Sequence, residues 1–149
     1  MNPDFAEMLS ALRDADAEFL VVGAHALAAH GVPRATGDLD LWVRPVPANA
    51  RRVWAALTTF GAPLTSLTLE DLTSDDLVFQ IGVVPSRIDI LTGVSGVTFD
   101  EARPDHISVT TAGAPVPVIG RLALMRYKRA AGRPRDLADL AELEAPDAR

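Results

Sequence analysis

Three aspartates lie where apolar strands are expected, and side chains of this type are suited to binding divalent metal ions. Asp38 and Asp40 stand one residue apart, fifteen residues after Gly23, and Asp89 lies inside a second apolar run. An ionised carboxylate within a sheet is costly unless it is hydrogen-bonded, paired or bound to a cation. The pattern therefore suggests a divalent metal site for phosphate chemistry.

The spacing of the aspartate pair and the lack of other donors indicate which metal would bind. Side chains at positions i and i+2 of a strand point to the same face and lie ~7 Å apart along the chain, which suits two cations bridged by a shared carboxylate. All three candidate ligands are oxygen donors, so Mg²⁺ or Mn²⁺ fits best. The histidines His25, His30 and His106 are scattered and show no zinc spacing.

The elements that must position these aspartates follow from apolar runs and turn residues. A strand over residues 19–22 is predicted to end at Gly23, and strong helix formers follow over 24–29. Residues 38–43 form the second predicted strand, with Asp38 and Asp40 on one face. Residues 87–91 form a later strand that carries Asp89.

The remaining pattern predicts a small sheet with helices packed on it. Helices are expected over 4–18, 48–60, 97–102, 120–131 and 134–143, a capped turn over 68–73, and strands over 77–81, 107–111 and 116–119. Helices alternate with strands until the two closing helices. The predicted class is therefore α+β, close to α/β, with a small mixed sheet and flanking helices.

Composition narrows the function classes. The 149 residues include no cysteine, which excludes thiolate metal sites, thiol nucleophiles and a disulfide framework and fits the cytoplasm. No apolar stretch reaches the ~20 residues of a membrane-spanning helix, so we expect a soluble, cytoplasmic protein without a membrane partner. The net charge of -6 argues against a surface that binds nucleic acid all over.

Positive charge is concentrated in one late segment. Fifteen positions without an acid carry six cations: Arg121, Arg126, Lys128, Arg129, Arg133 and Arg135. Such asymmetry indicates an anionic ligand, a triphosphate or an RNA end, although a solvated helix face would give the same pattern. Lys128 is the only lysine in the chain and suits a compact charge placed on a phosphate.

Two stretches together resemble a known family. They are VVGAHALAAHG over residues 21–31 and RATGDLD over 34–40, followed by the third aspartate. The order strand, glycine and small residue, helix, Asp-x-Asp strand and later Asp is similar to the nucleotidyltransferase superfamily that shares its fold with DNA polymerase beta. One branch is especially similar: small bacterial nucleotidyltransferases, lincosamide-type adenylyltransferases and abortive-infection toxins. Its members also carry a basic late helix, here KRAAGRPRDLADL over 128–140.

This resemblance implies a single nucleotidyltransferase domain over residues 1–149, with a catalytic sheet core over 1–119 and closing basic helices over 120–145. It also assigns roles to individual residues. Implied as metal ligands and catalytic residues are Asp38, Asp40 and Asp89; implied around the nucleotide are Gly23, Ala24, Arg34, Lys128 and Asp136. Ala24 replaces the usual Gly or Ser, so a hydroxyl contact to phosphate is lost while the backbone contact remains.

Some of these residues have simpler interpretations. Arg34 either contacts phosphate or pairs with Asp38 or Asp40 in the metal-free protein. Asp136 supports Lys128 or, like Asp139, stabilises the first turn of a helix. Trp42 and Trp54 are expected in the core, and the two nearby histidines are expected at the surface or behind the site.

The expected function is metal-dependent transfer of a nucleoside monophosphate from a nucleoside triphosphate to an acceptor hydroxyl, with release of pyrophosphate. Three acceptors stay open: a tRNA 3′ end, a protein, or a small molecule such as an antibiotic. In a toxin setting, an antitoxin would be a partner. Two other functions compete: a non-catalytic nucleotide- or partner-binding domain of the same fold, and a phosphohydrolase, which usually adds histidine ligands.

Overall fold

A computed structural model of the chain describes residues 2–34 and 37–145. These residues form an α+β fold, which confirms the predicted class. The described helices are α1 (Pro3–Asp14), α2 (Gly23–Ala29), α3 (Pro47–Phe60), α4 (Phe99–Ala102), α5 (Arg121–Ala131) and α6 (Pro134–Glu144). The described strands are β1 (Phe19–Val22), β2 (Leu39–Val43), β3 (Val78–Ile81), β4 (Ile88–Leu91), β5 (Ile107–Thr111) and β6 (Ala114–Val118). Short 3₁₀ turns cover Glu70–Thr73 and Arg103–Asp105.

The six strands make one mixed sheet in the order β3-β4-β2-β1-β6-β5. β2 runs parallel to β4 and antiparallel to β1, and β1 runs parallel to β6. The outer strands β3 and β5 pair antiparallel with β4 and β6. The strands that carry the aspartates are therefore interior neighbours, covered on both edges by other strands.

Most element boundaries lie within a few residues of the prediction, and the exceptions have local causes. α1 ends at Asp14 rather than at residue 18, because Asp16 takes a φ of 58° and turns the chain towards β1. α3 begins one residue earlier than predicted, at Pro47, because proline is well suited to the first turn of a helix. It ends at Phe60, and the following Gly61, with a φ of 90°, caps it. β2 begins at Leu39, so Asp38 lies just before the strand.

The core encloses the middle of the sheet. All four residues of β1 are buried, and α1 packs on α3. Trp42 of β2 is 1% exposed and meets Phe99 edge to face at 5.4 Å between ring centroids, which confirms its predicted place in the core. Trp54 is partly buried against the same core. None of the described helices has the length and apolar character needed to cross a membrane.

Candidate active site

The sheet register brings two of the three aspartates side by side. Asp40 pairs with Val22 on β1 and with Asp89 on β4. Side chains at facing positions of adjacent strands point to the same side, so the two carboxylates are neighbours. Asp38 is held at the start of this row, because its Oδ1 accepts a hydrogen bond from the Arg87 backbone N–H at 3.1 Å. We call Asp38, Asp40, Asp89 and Arg87 the carboxylate wall.

Gly23 makes room for the Asp40 carboxylate. It follows Val22 directly and has a φ of 72°, which residues with a side chain rarely adopt. A Cβ placed on Gly23 would lie 2.1 Å from Asp40 Oδ2. The glycine is thus required both by backbone conformation and by the space that the carboxylate fills.

A cavity of about 340 Å³ lies against this wall. It brings together seven of the eight residues that the sequence analysis singled out: Gly23, Ala24, Arg34, Asp38, Asp40, Asp89 and Lys128. The eighth, Asp136, does not line the cavity but accepts a hydrogen bond from Lys128 Nζ at 3.4 Å. The same cavity is lined by Arg133 and Arg135 of the late basic segment and by four residues to which the sequence analysis gave no role in the site: Leu27, Arg87, Tyr127 and Asp139.

Arg87 is the most important of the missed residues. Its Nε lies 2.7 Å from Asp89 Oδ1 and its Nη2 lies 3.1 Å from Asp89 Oδ2, and the same Nη2 is 3.6 Å from Asp38 Oδ2. The signal for it was present in the sequence, since residues 87 and 89 of one strand share a face. The guanidinium therefore partly neutralises a group of three carboxylates.

Burial and the neighbouring carboxylates raise the pKa of Asp40. Burial, then the charge and a hydrogen bond of Asp89, then the charge of Asp38 raise the pKa of Asp40 from 3.8 to about 6, against the opposite effect of Arg87. A raised pKa of this kind is common at sites that bind cations or transfer protons. The carboxylate wall is thus short of positive charge.

The donor set of the carboxylate wall fits a hard divalent cation. It offers three carboxylates on one side of one cavity, and such oxygen donors are those that Mg²⁺ and Mn²⁺ prefer. Within the described ranges, however, no three acidic or histidine side chains are arranged to hold a metal ion. The donor types of the carboxylate wall therefore suit a metal ion, but the positions of the side chains do not. The physical reason is the Arg87 guanidinium, which binds both oxygens of Asp89.

A second group of charges lies around α5 and α6, next to the same cavity. Lys128 on α5 is 6% exposed, and its Nζ lies 3.0 Å from Asp139 Oδ2 as well as 3.4 Å from Asp136 Oδ1, both on α6. Arg34 donates to Asp139 from Nε at 2.8 Å, and Arg133 donates to Asp136 from Nε at 2.6 Å. We call these five residues the helix wall.

The contacts of the helix wall bear on two points that the sequence left open, the partner of Arg34 and the role of Asp136. The sequence left Arg34 open between a phosphate contact and a pairing with Asp38 or Asp40; in the structure it pairs with Asp139 and, at 3.2 Å, with Glu142. Asp136 is fully buried. Burial favours its protonated form, but the Arg133 hydrogen bond and the Lys128 charge outweigh this effect and lower its pKa.

The two histidines of the α2 region lie behind the cavity. His25 packs edge to face on Phe5, and burial lowers its pKa against hydrogen bonds with the backbone of Asp38 and Gly37. His30 Nε2 lies 2.8 Å from the Ile119 carbonyl oxygen and thereby ties the end of α2 to the segment after β6. Neither lines the cavity.

A second cavity of about 500 Å³ adjoins the first, because both are lined by Tyr127 and Arg133. Its other lining residues include Asp75, Asp76 and Ser95. Both aspartates are exposed. A ligand in this cavity would therefore lie beside the first cavity and face two acidic side chains.

The fold and this arrangement of charges define the class: the chain has the fold of nucleotidyltransferases. No protein-family model and no curated protein sequence matches the chain. Solved structures do match it along nearly its whole length. At identities of 10% to 16%, these matches are likenesses of fold.

Three such structures illustrate the match. A candidate nucleotidyltransferase of Thermotoga maritima is 16% identical, with a TM-score of 0.56 over 95% of this chain and 93% of the other. The lincosamide antibiotic adenylyltransferase LnuA, solved with lincomycin bound, is 10% identical, with a TM-score of 0.59 over 97% of each chain. ANT(2")-Ia, solved with adenylyl-2"-tobramycin, is 16% identical, with a TM-score of 0.59 over 93% of this chain and 84% of the other. The fold expected from the resemblance is confirmed.

Proposed function

We propose that the protein is a metal-dependent nucleotidyltransferase that moves a nucleoside monophosphate from a nucleoside triphosphate to an acceptor hydroxyl and releases pyrophosphate. One observation carries this proposal. A cavity of about 340 Å³ is lined by the three aspartates of the carboxylate wall and by the cations Arg34, Lys128 and Arg133 of the helix wall, within the fold that adenylyltransferases share. A triphosphate with a divalent cation needs both kinds of wall.

The residues of the carboxylate wall would handle the metal and the proton. A divalent cation, Mg²⁺ or Mn²⁺, held by Asp38, Asp40 and Asp89 would activate the attacking hydroxyl and neutralise charge on the leaving pyrophosphate. Asp89 would accept the proton of that hydroxyl. Gly23 and Ala24 would offer backbone N–H groups to the phosphates, with no side-chain hydroxyl at Ala24.

The residues of the helix wall would bind and orient the phosphates. Lys128 would supply a compact charge, and its contacts with Asp136 and Asp139 support this role because they fix the position of the ammonium group. Arg34 lines the cavity while it pairs with Asp139, so it would add positive charge and hold α6 in place. Asp136 would act behind Lys128 rather than on the nucleotide itself.

A small acceptor with amino groups is supported best. The second cavity adjoins the first and presents Asp75 and Asp76, whose carboxylates would pair with protonated amines. The neighbouring enzymes were solved with lincomycin and with adenylyl-2"-tobramycin, which are small molecules. An antibiotic or another amino-bearing alcohol is therefore the acceptor class to test first.

The tRNA acceptor has weaker support, because most cations of the late basic segment already form ion pairs with acidic side chains of the same chain. Lys128 and Arg133 contact acids of α6, Arg126 lies 3.7 Å from Glu101, and Arg129 lies 3.3 Å from Glu144. A toxin–antitoxin setting with an antitoxin partner, and a cytoplasmic location, remain proposals from the sequence. The neighbouring genes would test that setting.

The direct experiment follows the α-phosphate. Purified protein is incubated with Mg²⁺ or Mn²⁺ and each nucleoside triphosphate labelled at the α-position, in the presence of amino alcohols, tRNA or the protein alone. We expect label on one acceptor and equal release of pyrophosphate. Asp40→Asn should abolish both, while Asp14→Asn, an exposed acid at the end of α1, should change neither.

Other products would support the competing functions. Triphosphate binding without pyrophosphate release under any acceptor would favour a non-catalytic binding domain of the same fold. Free phosphate in place of pyrophosphate would favour a phosphohydrolase. Absence of both binding and turnover with all four triphosphates would contradict the proposal.

A further inference from the structure

Arg87 occupies the space among the carboxylates in which a divalent cation would bind. Its two nitrogens engage both oxygens of Asp89, at 2.7 and 3.1 Å, and one of them lies 3.6 Å from Asp38 Oδ2. A guanidinium fork matches a carboxylate in this bidentate way and forms strong charge-assisted hydrogen bonds. The in-plane lone pairs of Asp89, which a metal would use, are thereby directed at Arg87.

This contact explains why a suitable donor set lacks a metal-ready arrangement among the described residues. Asp38, Asp40 and Asp89 line one cavity, yet the Arg87 fork engages both oxygens of Asp89, and its like charge repels a cation brought to them. The Arg87 side chain is 28% exposed and lines the same cavity, so it has space into which to swing. Moving this one side chain would free Asp89 as a ligand.

We infer that Arg87 and a divalent cation compete for Asp89, so that the metal binds only after the guanidinium has left this carboxylate. The inference rests on the proposed function, because it takes the three aspartates as the metal ligands. Arg87 acts through Asp89 and is therefore a positioning residue. Under this competition, the apparent metal affinity equals the intrinsic affinity multiplied by the fraction of molecules in which Arg87 has already left Asp89.

The first test measures metal binding without nucleotide. Mn²⁺ is titrated into wild-type protein and Arg87→Gln, and the free ion is followed by electron paramagnetic resonance. Arg87→Gln should bind Mn²⁺ about tenfold more tightly. Arg135→Gln is the matched control, because it removes an equal charge from the same cavity at an exposed position; its affinity should change less than ~3-fold.

The second test measures the response of Arg87 to metal in the wild-type protein. The Nε–Hε resonance of Arg87 is observed by NMR in the wild-type protein, with Arg87→Lys used only to assign it. Addition of Mg²⁺ should move this resonance towards the position of a free guanidinium as its hydrogen bond to Asp89 is lost. An unmoved resonance at a saturating metal concentration would overturn the inference even if Arg87→Gln failed to fold.

The results separate this inference from the proposed function. Unchanged or weaker Mn²⁺ binding by Arg87→Gln, with clear binding by the wild type, contradicts competition and leaves the transferase proposal standing. Equal tightening by Arg87→Gln and Arg135→Gln assigns the effect to charge alone and also contradicts competition. No Mn²⁺ binding by any of the proteins, with or without a triphosphate, contradicts the metal-dependent function itself.

Discussion

The two walls of the cavity both bury aspartates, but they hold them in opposite ways. The helix wall sets Asp136 and Asp139 against three cations, and the pKa of Asp136 is lowered. The carboxylate wall sets three aspartates beside the Arg87 guanidinium, and the pKa of Asp40 is raised to about 6. The charges of the helix wall are paired by the protein's own residues, whereas the carboxylate wall would be stabilised by the divalent cation that we propose.

The largest expected effect separates the walls by activity. Asp38→Asn removes a proposed metal ligand while it preserves shape, so transfer should fall at least about a thousandfold, which corresponds to about 4 kcal/mol of transition-state stabilisation. Steady-state release of pyrophosphate measures it. Glu7→Gln, an exposed acid on α1, serves as control and should leave the rate within ~2-fold. A rate for Asp38→Asn within tenfold of wild type would remove this wall from the chemistry.

The next largest effect is on stability, where the buried ion pairs of the helix wall should contribute more to the free energy of unfolding than a surface pair. Asp136→Asn removes the buried charge that pairs with Arg133 and one of the two that pair with Lys128, so the free energy of unfolding should fall by about 3 kcal/mol. Glu142→Gln is the matched control on the same helix, because Glu142 pairs with Arg34 at the surface and should contribute less than ~0.5 kcal/mol. Urea denaturation of both variants measures the difference. Equal costs would show that burial does not distinguish these ion pairs.

A smaller effect concerns the space between β1 and the carboxylate wall. Gly23→Ala adds a Cβ 2.1 Å from Asp40 Oδ2, in addition to the strain of a φ of 72°, so it should cost about 2 kcal/mol and weaken Mn²⁺ binding. Gly61→Ala isolates the strain, since Gly61 has a φ of 90° and nothing within 4 Å of an added Cβ; about 1 kcal/mol is expected there. The same denaturation assay, with Mn²⁺ titration, compares them. Unaltered metal binding by Gly23→Ala would contradict the proposed contact.

The smallest effect is a pH dependence of stability. Because the pKa of Asp40 in the folded protein, about 6, lies above the ordinary 3.8, the folded state binds this proton more tightly and loses stability as pH rises from about 4 to 6. Without metal, Asp40→Asn should therefore be more stable than wild type at pH 7 by about 1 to 2 kcal/mol, which is less than the ~3 kcal/mol of the full shift because solvent screens the partly exposed Asp40. The gap should close near pH 4. A variant that is less stable than wild type at pH 7 would contradict the crowding of the carboxylates.

The parts of the site that local pattern determines were predictable from the sequence. Apolar runs located the strands that carry Asp40 and Asp89, and Gly23 located the end of β1. The pairing of Asp40 with Asp89 was not predictable in this way, since parallel pairing of β2 with β4 joins residues that are far apart in the chain.

The partners of the charged side chains were also beyond local pattern. Asp139 was interpreted as an ordinary helix acid, and it became part of the helix wall only when α6 packed against α5 and met Arg34 from the loop after α2. Arg87 shared a strand face with Asp89, but nothing in the spacing showed that its guanidinium would turn towards this carboxylate. Such contacts depend on tertiary packing.

The most direct measurement is a crystal structure of the protein with Mn²⁺ and a non-hydrolysable nucleoside triphosphate, with the metal located by its anomalous scattering. The account predicts manganese bound by Asp38, Asp40 and Asp89 at about 2.1 Å. It also predicts Arg87 withdrawn from Asp89 and the phosphates directed at Lys128. Manganese elsewhere, or a triphosphate that avoids the cavity between the two walls, would contradict it.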